Sequence, residues 1–373
     1  MPREAAIVTE PRKPRSTRPQ QAAAGLGCYV LPGGVPDPRE GLEQGRAAER
    51  LGLDALWIGE RYDTKDLPSL AGALGQVTSR VRIGAAVTHP GLRHPMVLAS
   101  MGQTLQSLTG GRFVLGLGRS AEWRWKAYGV PSPTLRSLAD TADILRRLWA
   151  GETVTYEGPA GSYPQLRLPQ RPDVAPPPLL LAAVGPKTLD VAGSSFDGVI
   201  LHPFLTVDGV RESVARVRRA AERASRDPAA VRCVATVVVA PDASEQEEAL
   251  AVRARGAGYF SVSGLGDALV RANGWDEQDL ARYRSQRPLV ELDGLPADKN
   301  LSRQQLSDLC EGMPAHWIPT AAVTGDARSC AARLHSYRAA GADEIILHGM
   351  VGDQIAALAG HFTADGREAA DAR

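Results

Sequence analysis

A strand–helix–strand unit in the first third of the chain constrains the fold more than any other feature. Two short apolar segments, Val81–Val87 and Arg112–Leu117, flank an apolar helical run at Pro95–Leu108. Glycine and proline bound both segments, which is typical of strands buried on both faces of a parallel sheet. In such a unit the functional loops follow the carboxyl ends of the strands. We therefore expect functional residues in Thr88–Pro95 and Gly118–Trp125.

Apolar segments of the same kind recur and alternate with helical patterns. Six more are predicted strands: Gly25–Leu31, Ala55–Gly59, Leu179–Val184, Asp197–His202, Arg232–Ala240 and Glu344–His348. Eight strands alternating with helices predict a (β/α)8 TIM barrel, with a doubly wound open sheet as the alternative. Insertions follow strands four and seven, at Gly151–Pro178, which looks irregular, and at Gly256–Ile318. We expect both insertions to cover the catalytic face as lids.

Composition and charge limit the classes of binding partner that the chain is expected to have. The chain has 373 residues, 43% of them hydrophobic and 23% charged, and its net charge is +1. This balance gives no reason to expect nucleic acid or an anionic membrane as a partner, and no apolar run could span a bilayer. Four dispersed cysteines predict neither a disulfide framework nor a metal site, which fits a cytoplasmic protein. We expect a homodimer that acts on a small molecule.

The first residues differ from the rest in pattern. Residues 1–24 are basic and lack hydrophobic periodicity. A disordered tail is the expected state, with a partner-binding arm as the alternative. Residues 25–365 form the predicted barrel domain.

Several motifs together resemble a known family. The segments GLDALWIGE, IGAAVTHPGLRHPMVLAS, LTGGRFVLGLG, LLLAAVGPKTLDVAG and YRAAGADEIILHG resemble the luciferase-like flavin superfamily. The resemblance is closest to the coenzyme F420-dependent branch, which includes methylene-tetrahydromethanopterin reductases and glucose-6-phosphate dehydrogenases. It covers residues 25–362 and implies hydride transfer between F420 and a small organic substrate. An FMN-dependent monooxygenase that uses O2 and a non-catalytic flavin-binding barrel are the alternatives.

Glu60 and Arg61 lie at the end of the second predicted strand. The resemblance implies an acid followed by a histidine here, serving proton transfer near the deazaflavin. The sequence keeps the acid as Glu60, which we predict to be catalytic. Arg61 replaces the histidine and cannot be a general acid near neutral pH. We expect Arg61 to bind an anionic group of the cofactor or substrate, while a solvated ion pair is the alternative.

The end of the third strand is predicted to lie under the cofactor ring. The resemblance implies a non-proline cis peptide bond between Ala86 and Val87, below the ring. His89 follows on the same rim and is predicted to bond the ring or donate a proton. His94 precedes Pro95 and is expected to cap the next helix.

Glycines and polar residues follow the fourth strand. The segment Gly116–Ala121 fits G-x-G-x-x-A, but the polar residues after it do not form the apolar helix that a dinucleotide-binding motif needs. The barrel interpretation instead predicts cofactor contacts from Gly118, Arg119 and Ser120, and substrate contacts from Trp123 and Arg124. The resemblance also implies a catalytic acid just after these glycines; the corresponding position is about Ala121, with Glu122 next to it.

A helix is expected to begin directly after the fifth strand. Backbone N–H groups at a helix N-terminus can bind an anion. The resemblance implies that the cofactor phosphate binds here, with contacts predicted from Val184, Gly185, Pro186 and Lys187. A plain helix cap is the alternative.

Two histidines end the sixth and eighth predicted strands. His202 and His348 are predicted to line the substrate pocket, although either residue could instead be a buried structural partner.

Overall fold

A computed structural model describes residues 25–33, 37–62, 64–170 and 172–371. The predicted tail, residues 1–24, lies outside this range. The strands are β1 (Leu26–Tyr29), β2 (Ala55–Ile58), β3 (Arg82–Ala85), β4 (Phe113–Leu117), β5 (Val154–Gly158), β6 (Gly161–Leu166), β7 (Leu179–Ala183), β8 (Gly198–Leu201), β9 (Arg232–Pro241), β10 (Ala322–Gly325) and β11 (Glu344–Gly349).

Eight of these strands close into a parallel barrel. Their order around the barrel is β1, β2, β3, β4, β7, β8, β9 and β11, and the pairings of β8 with β9 and of β11 with β1 complete the ring. β10 adds only to the carboxyl end of β9, where Val323 pairs with Val239. The predicted (β/α)8 architecture is therefore confirmed, and the open sheet is excluded.

Helices separate the strands and bury their apolar faces against the barrel. They are α1 (Glu40–Arg50), α2 (Leu67–Val77), α3 (Pro95–Leu108), α4 (Glu122–Tyr128), α5 (Leu135–Ala150), α6 (Pro186–Ser195), α7 (Val207–Arg223), α8 (Glu245–Glu248), α9 (Ala254–Ser261), α10 (Leu265–Ala272), α11 (Glu277–Arg284), α12 (Arg287–Val290), α13 (Ala297–Asn300), α14 (Arg303–Leu309), α15 (Trp317–Ala321), α16 (Ala327–Ala339) and α17 (Ala356–Asp371). None of the helices in the described ranges is both long and apolar enough to cross a bilayer.

Side chains fill the barrel interior and cover the end of the barrel at which the strands begin. A small apolar cluster that includes Trp57, Val114 and Ile346 fills the lumen. At the amino ends of the strands, the fully buried Glu344 carboxylate accepts hydrogen bonds from Trp57 Nε1 at 2.7 Å, Arg82 at 2.8 Å and Arg232 at 2.7 Å. The charge is neutralised and hydrogen-bonded, as a buried carboxylate requires. TIM barrels carry their ligand sites at the opposite, carboxyl end of the strands.

The first insertion has the predicted position but not the predicted conformation. Residues 151–178 follow α5 and contain the antiparallel β5–β6 hairpin, so the expectation of an irregular segment is wrong. The hairpin packs along the outside of α3 and α5, with the Tyr156 hydroxyl donating to Asp140 at 2.7 Å and the Tyr163 ring against His94.

The second insertion has the predicted place. It begins directly after β9, and α8 to α15 therefore extend from the carboxyl-end face of the barrel. The helix predicted at Ser244–Arg255 is divided by a π-helical turn at Ala249–Arg253. α9, which follows this turn, contacts the ends of the barrel strands through Arg255.

Candidate active site

A shallow apolar floor lies at the carboxyl end of the barrel. Tyr29, Val87 and Ala182 are partly exposed and pack on the apolar cluster of the lumen. The peptide bond between Ala86 and Val87 is cis, as predicted. We call the backbone at this cis peptide bond the bend. The Tyr29 hydroxyl donates a hydrogen bond of 2.8 Å to the Ala86 carbonyl oxygen, which links β1 to the bend. The floor therefore offers a flat apolar surface held in place by hydrogen bonds.

Backbone hydrogen bonds also join the residues that follow the bend to the end of β4. The Thr88 N–H donates to the Gly116 carbonyl at 2.9 Å, and the Gly118 N–H donates to Thr88 at 3.0 Å. A methyl group on Gly116 would collide with the Ala85 carbonyl oxygen, and one on Gly118 would collide with Val87. The glycines of β4 are therefore required by close packing on β3. The predicted cofactor contact of Gly118 stays a prediction.

Glu60 lies in a buried hydrogen-bond network and is only 7% exposed. Its carboxylate accepts hydrogen bonds from Thr88 Oγ1, from Tyr62 at 2.7 Å and from both terminal nitrogens of Arg93, one of them at 2.6 Å. Arg93 also donates to Thr88 at 2.8 Å. The paired guanidinium favours the ionised carboxylate, which accepts hydrogen bonds but donates none. These contacts favour a charged, positioning Glu60 over a proton donor.

His89 presents an unpaired nitrogen beside this network. The side chain is 4% exposed, and Nδ1 accepts the Gly91 N–H at 3.0 Å, so the neutral ring carries its proton on Nε2. Nε2 makes no hydrogen bond within the described chain. Burial lowers the pKa of His89, while the nearby main chain of Arg119 and the Glu60 charge oppose this shift. A buried N–H donor without a partner fits a ligand acceptor.

His348 has a similar arrangement on the other side of the floor. Arg255, only 8% exposed, donates from Nη1 to His348 Nε2 at 2.9 Å. Arginine has no acceptor, so the ring proton is on Nδ1. Nδ1 is buried and has no partner in the described part of the chain. Burial, and then the Arg255 and Arg61 charges, hold the pKa of His348 well below its usual value.

His202 reaches the same region from β8. Its Nδ1 lies 2.9 Å from the Pro203 carbonyl, and its ring packs edge-on against Tyr259 of α9. Burial lowers the pKa of His202 to about 4. The predicted pocket histidines, His202 and His348, therefore both lie at strand ends as neutral rings.

The start of α6 is an open helix N-terminus. Gly185 is the N-cap, no side chain caps the helix, and a methyl group at Gly185 would meet nothing within 4 Å. Lys187 is exposed and forms no ion pair with any residue in the described ranges. The predicted residues Val184, Gly185, Pro186 and Lys187 are thus in the geometry that binds an anion.

The loop after β4 forms the short helix α4. Arg124 stacks on the Trp123 ring at 4.9 Å, and its Nη1 is 3.5 Å from Ser120 Oγ, so these three predicted residues form one cluster. Ser120 has a left-handed backbone (φ 60°), and the Arg119 carbonyl accepts from Trp125. Their predicted ligand contacts remain predictions.

Sequence reasoning missed several residues of the site. Tyr29, Thr88 and Arg93 support the floor and Glu60, and Arg255 and Arg303 approach from the second insertion. Arg93 was visible within the Arg-His-Pro motif, but nothing in the motif indicated that it would pair with Glu60.

Fold and site together define a TIM-barrel protein with a ligand site at the carboxyl ends of its strands. The chain belongs to the family described as luciferase-like monooxygenase, whose model matches residues 11–344. This membership makes it an oxidoreductase.

Similar proteins use related chemistry. The chain is 28% identical over 235 residues to the 5,10-methylenetetrahydromethanopterin reductase of Methanolobus tindarius, covering 62% of this chain and 70% of that one. It is 34% identical over 176 residues to the F420-dependent glucose-6-phosphate dehydrogenase of Microbacterium testaceum, covering 44% and 52%. The chain thus spans about half the length of that dehydrogenase.

A solved structure has the same fold. The coenzyme F420-dependent tetrahydromethanopterin reductase of Methanopyrus kandleri superposes with a TM-score of 0.72 at 20% identity, covering 91% of this chain and 98% of that one.

Proposed function

We propose that this protein is an F420-dependent oxidoreductase that transfers a hydride between the deazaflavin and a small organic substrate. The uncapped N-terminus of α6, with open space over Gly185, is the observation that carries the proposal. The dehydrogenase relative and the solved reductase structure, both of which are named as F420-dependent, favour F420 over FMN. When bound, the deazaflavin supplies the hydride chemistry.

The residues of the chain fit such a cofactor at two points. Backbone N–H groups at the start of α6 and the Lys187 ammonium would hold its phosphate. Tyr29, Val87 and Ala182 offer an apolar surface for a flat ring, and Tyr29 fixes the bend beneath it through the Ala86 carbonyl. The phosphate cradle follows the fifth barrel strand, β7, and the bend follows the third, β3, so one extended molecule can contact both.

We assign proton transfer with the bound ligand to His89. Its Nε2–H is buried, unpaired and adjacent to the ionised Glu60 network. Burial lowers the pKa of His89 and the Glu60 charge opposes this shift only in part, so the resting ring is neutral and offers its Nε2–H to the ligand atom at which a proton is transferred. Glu60 and Arg93 act as positioning residues in this scheme, with Arg93 keeping the carboxylate in place.

Cofactor titration tests the proposal directly. Purified protein is titrated with F420 and with FMN, and quenching of tryptophan fluorescence reports binding. We expect micromolar binding of F420. Gly185→Ala and Lys187→Ala should each weaken it about tenfold, since one blocks the N–H groups and the other removes the charge. Arg287→Gln, on an exposed helix of the second insertion, is the matched control and should bind normally.

An FMN-dependent monooxygenase is the second candidate, because the matched family is described by that activity. Tight FMN binding without F420 binding would favour it and refute the proposal. Binding of F420 without hydride exchange on a substrate panel would instead indicate a non-catalytic barrel. Light scattering in the same preparation tests the predicted homodimer.

A further inference from the structure

Three arginines approach the barrel mouth from separate elements. Arg61 follows β2, Arg255 lies on α9 after β9, and Arg303 begins α14 in the second insertion. α14 packs against α9, and β2 is separated from β11, the strand of His348, only by β1, so the three arginines lie around one part of the barrel mouth. Burial, and then the Arg303 and Arg61 charges against an opposing effect of Tyr259, lower the pKa of Arg255 to about 10. Partial desolvation, and then the Arg61 charge, also lower the pKa of the exposed Arg303. Like charges that share one space are unfavourable unless an anion lies between them.

No carboxylate neutralises this group. Within the described ranges, none of the three arginines has an acidic oxygen at salt-bridge distance. Among the described acids, Glu60 pairs with Arg93, and Asp298 influences Arg303 only through space. Arg255 is buried and bonds the Ala251 carbonyl, the neutral His348 and the Tyr259 side chain, none of which is a carboxylate. A buried guanidinium without a carboxylate partner is costly, so an external anion is the natural partner.

His348 adds a neutral donor to the same space. Its Nε2 accepts from Arg255, which leaves the buried Nδ1–H without an acceptor. The Tyr29 ring lies 4.6 Å from the His348 ring, so this donor borders the apolar floor. A ligand with an oxygen acceptor at this position would satisfy both the orphaned N–H and the guanidinium groups.

The arginine group and the start of α6 lie on opposite sides of the barrel. α6 follows β7, the fifth strand of the ring, whereas His348, Arg61 and Arg255 follow the eighth, second and seventh strands. The arginine group is thus centred between the eighth and first strands, opposite the fourth and fifth. One phosphate cannot contact both places.

We propose that Arg61, Arg255 and Arg303 form an oxyanion pocket for the substrate, which is therefore a small organic molecule carrying a carboxylate or phosphate group. The guanidinium fork matches either anion with two parallel hydrogen bonds. Assigning this anion to the substrate rests on the proposed function, because it takes the cofactor phosphate to be at α6. The pocket itself depends only on the arginines.

Calorimetric titration with two simple dianions tests the pocket. Inorganic phosphate and succinate are titrated into protein carrying Lys187→Ala, which weakens the competing site at α6. We expect at least one of them to bind, and the stronger binder identifies the group. Arg61→Gln and Arg303→Gln should each weaken that binding at least tenfold, while Arg287→Gln, an exposed arginine of the same insertion, should change it less than twofold. Circular dichroism checks that each variant is folded.

The outcomes separate this proposal from the proposed function. If neither dianion binds, or if Arg287→Gln weakens binding as much as Arg61→Gln does, the pocket is refuted. F420 is titrated into Arg61→Gln and Arg303→Gln variants that retain Lys187. An F420 affinity equal to that of the unmodified protein supports a substrate pocket. Loss of F420 affinity in Arg61→Gln and Arg303→Gln would assign the arginines to the cofactor and overturn the substrate assignment. Anion binding in a protein that binds no F420 would refute the proposed function and leave the pocket intact.

Discussion

The ion pair between Glu60 and Arg93 should be strongly coupled. The Glu60 side chain is 1% exposed and that of Arg93 is 12% exposed, and both guanidinium terminal nitrogens bond the carboxylate. Removing one partner of a buried pair costs about 3–5 kcal/mol, because the other charge stays buried without a partner. Glu60→Gln keeps one oxygen acceptor, so we expect about 3 kcal/mol for it and for Arg93→Gln.

A double-mutant cycle measures the coupling in urea denaturation. The double variant should lose about 2–3 kcal/mol less than the sum of the single losses. The exposed pair of Arg287 and Glu291 is the matched control, and its coupling should stay below about 0.5 kcal/mol. Additive losses at Glu60 and Arg93 would refute the buried pair and reopen a free, proton-donating Glu60.

Three further predictions concern packing, pH and the barrel base. Gly116→Ala should lower the free energy of unfolding by about 3 kcal/mol, measured in urea, because the new methyl meets the rigid Ala85 carbonyl; a neutral result would contradict the close packing. Burial lowers the pKa of His202 to about 4, below the unfolded value near 6.5, so its contribution is complete above pH 6.5 and lost towards pH 4. His202→Asn should therefore flatten the pH dependence of stability in this window by up to about 3 kcal/mol, and an unchanged profile would exclude the residue as its source. Glu344→Gln should cost about 3–5 kcal/mol in the same denaturation assay, since two arginines lose their shared carboxylate; a loss below about 1 kcal/mol would argue against the buried pair.

The barrel was predictable because its signal is local. Each barrel strand is a short apolar segment between turn residues, and its burial on both faces leaves a continuous hydrophobic run. The β5–β6 hairpin was missed because it lies on the surface: of its residues only Val154 and Leu166 are buried, and its glycines and Pro164 are residues typical of turns and loops. β10 was missed because only Ala322 and Val323 are buried in it.

The site was only partly predictable because its partners are distant in sequence. Glu60 and His89 were identifiable as polar residues after strands, but Arg93 lies 33 positions from Glu60, and motif spacing cannot pair them. Arg255 lies 93 positions from His348, in an insertion without a recognisable motif. Its burial depends on where α9 docks on the barrel, and local periodicity does not contain that information.

Two positions depart from the pattern that the resemblance implies. The resemblance implies a histidine at the position of Arg61, so this residue adds a permanent positive charge, and it implies an acid at about Ala121, with Glu122 next to it. The net charge of the whole chain is only +1, so its overall charge gives no strong attraction for anions. Arg255 is buried, so solvent and salt screen its charge much less than they would at the surface. Positive charge at the mouth of a site favours the entry of anions. Arg61 therefore removes the histidine of the expected acid–histidine pair and, together with Arg255, agrees with the anionic substrate proposed above.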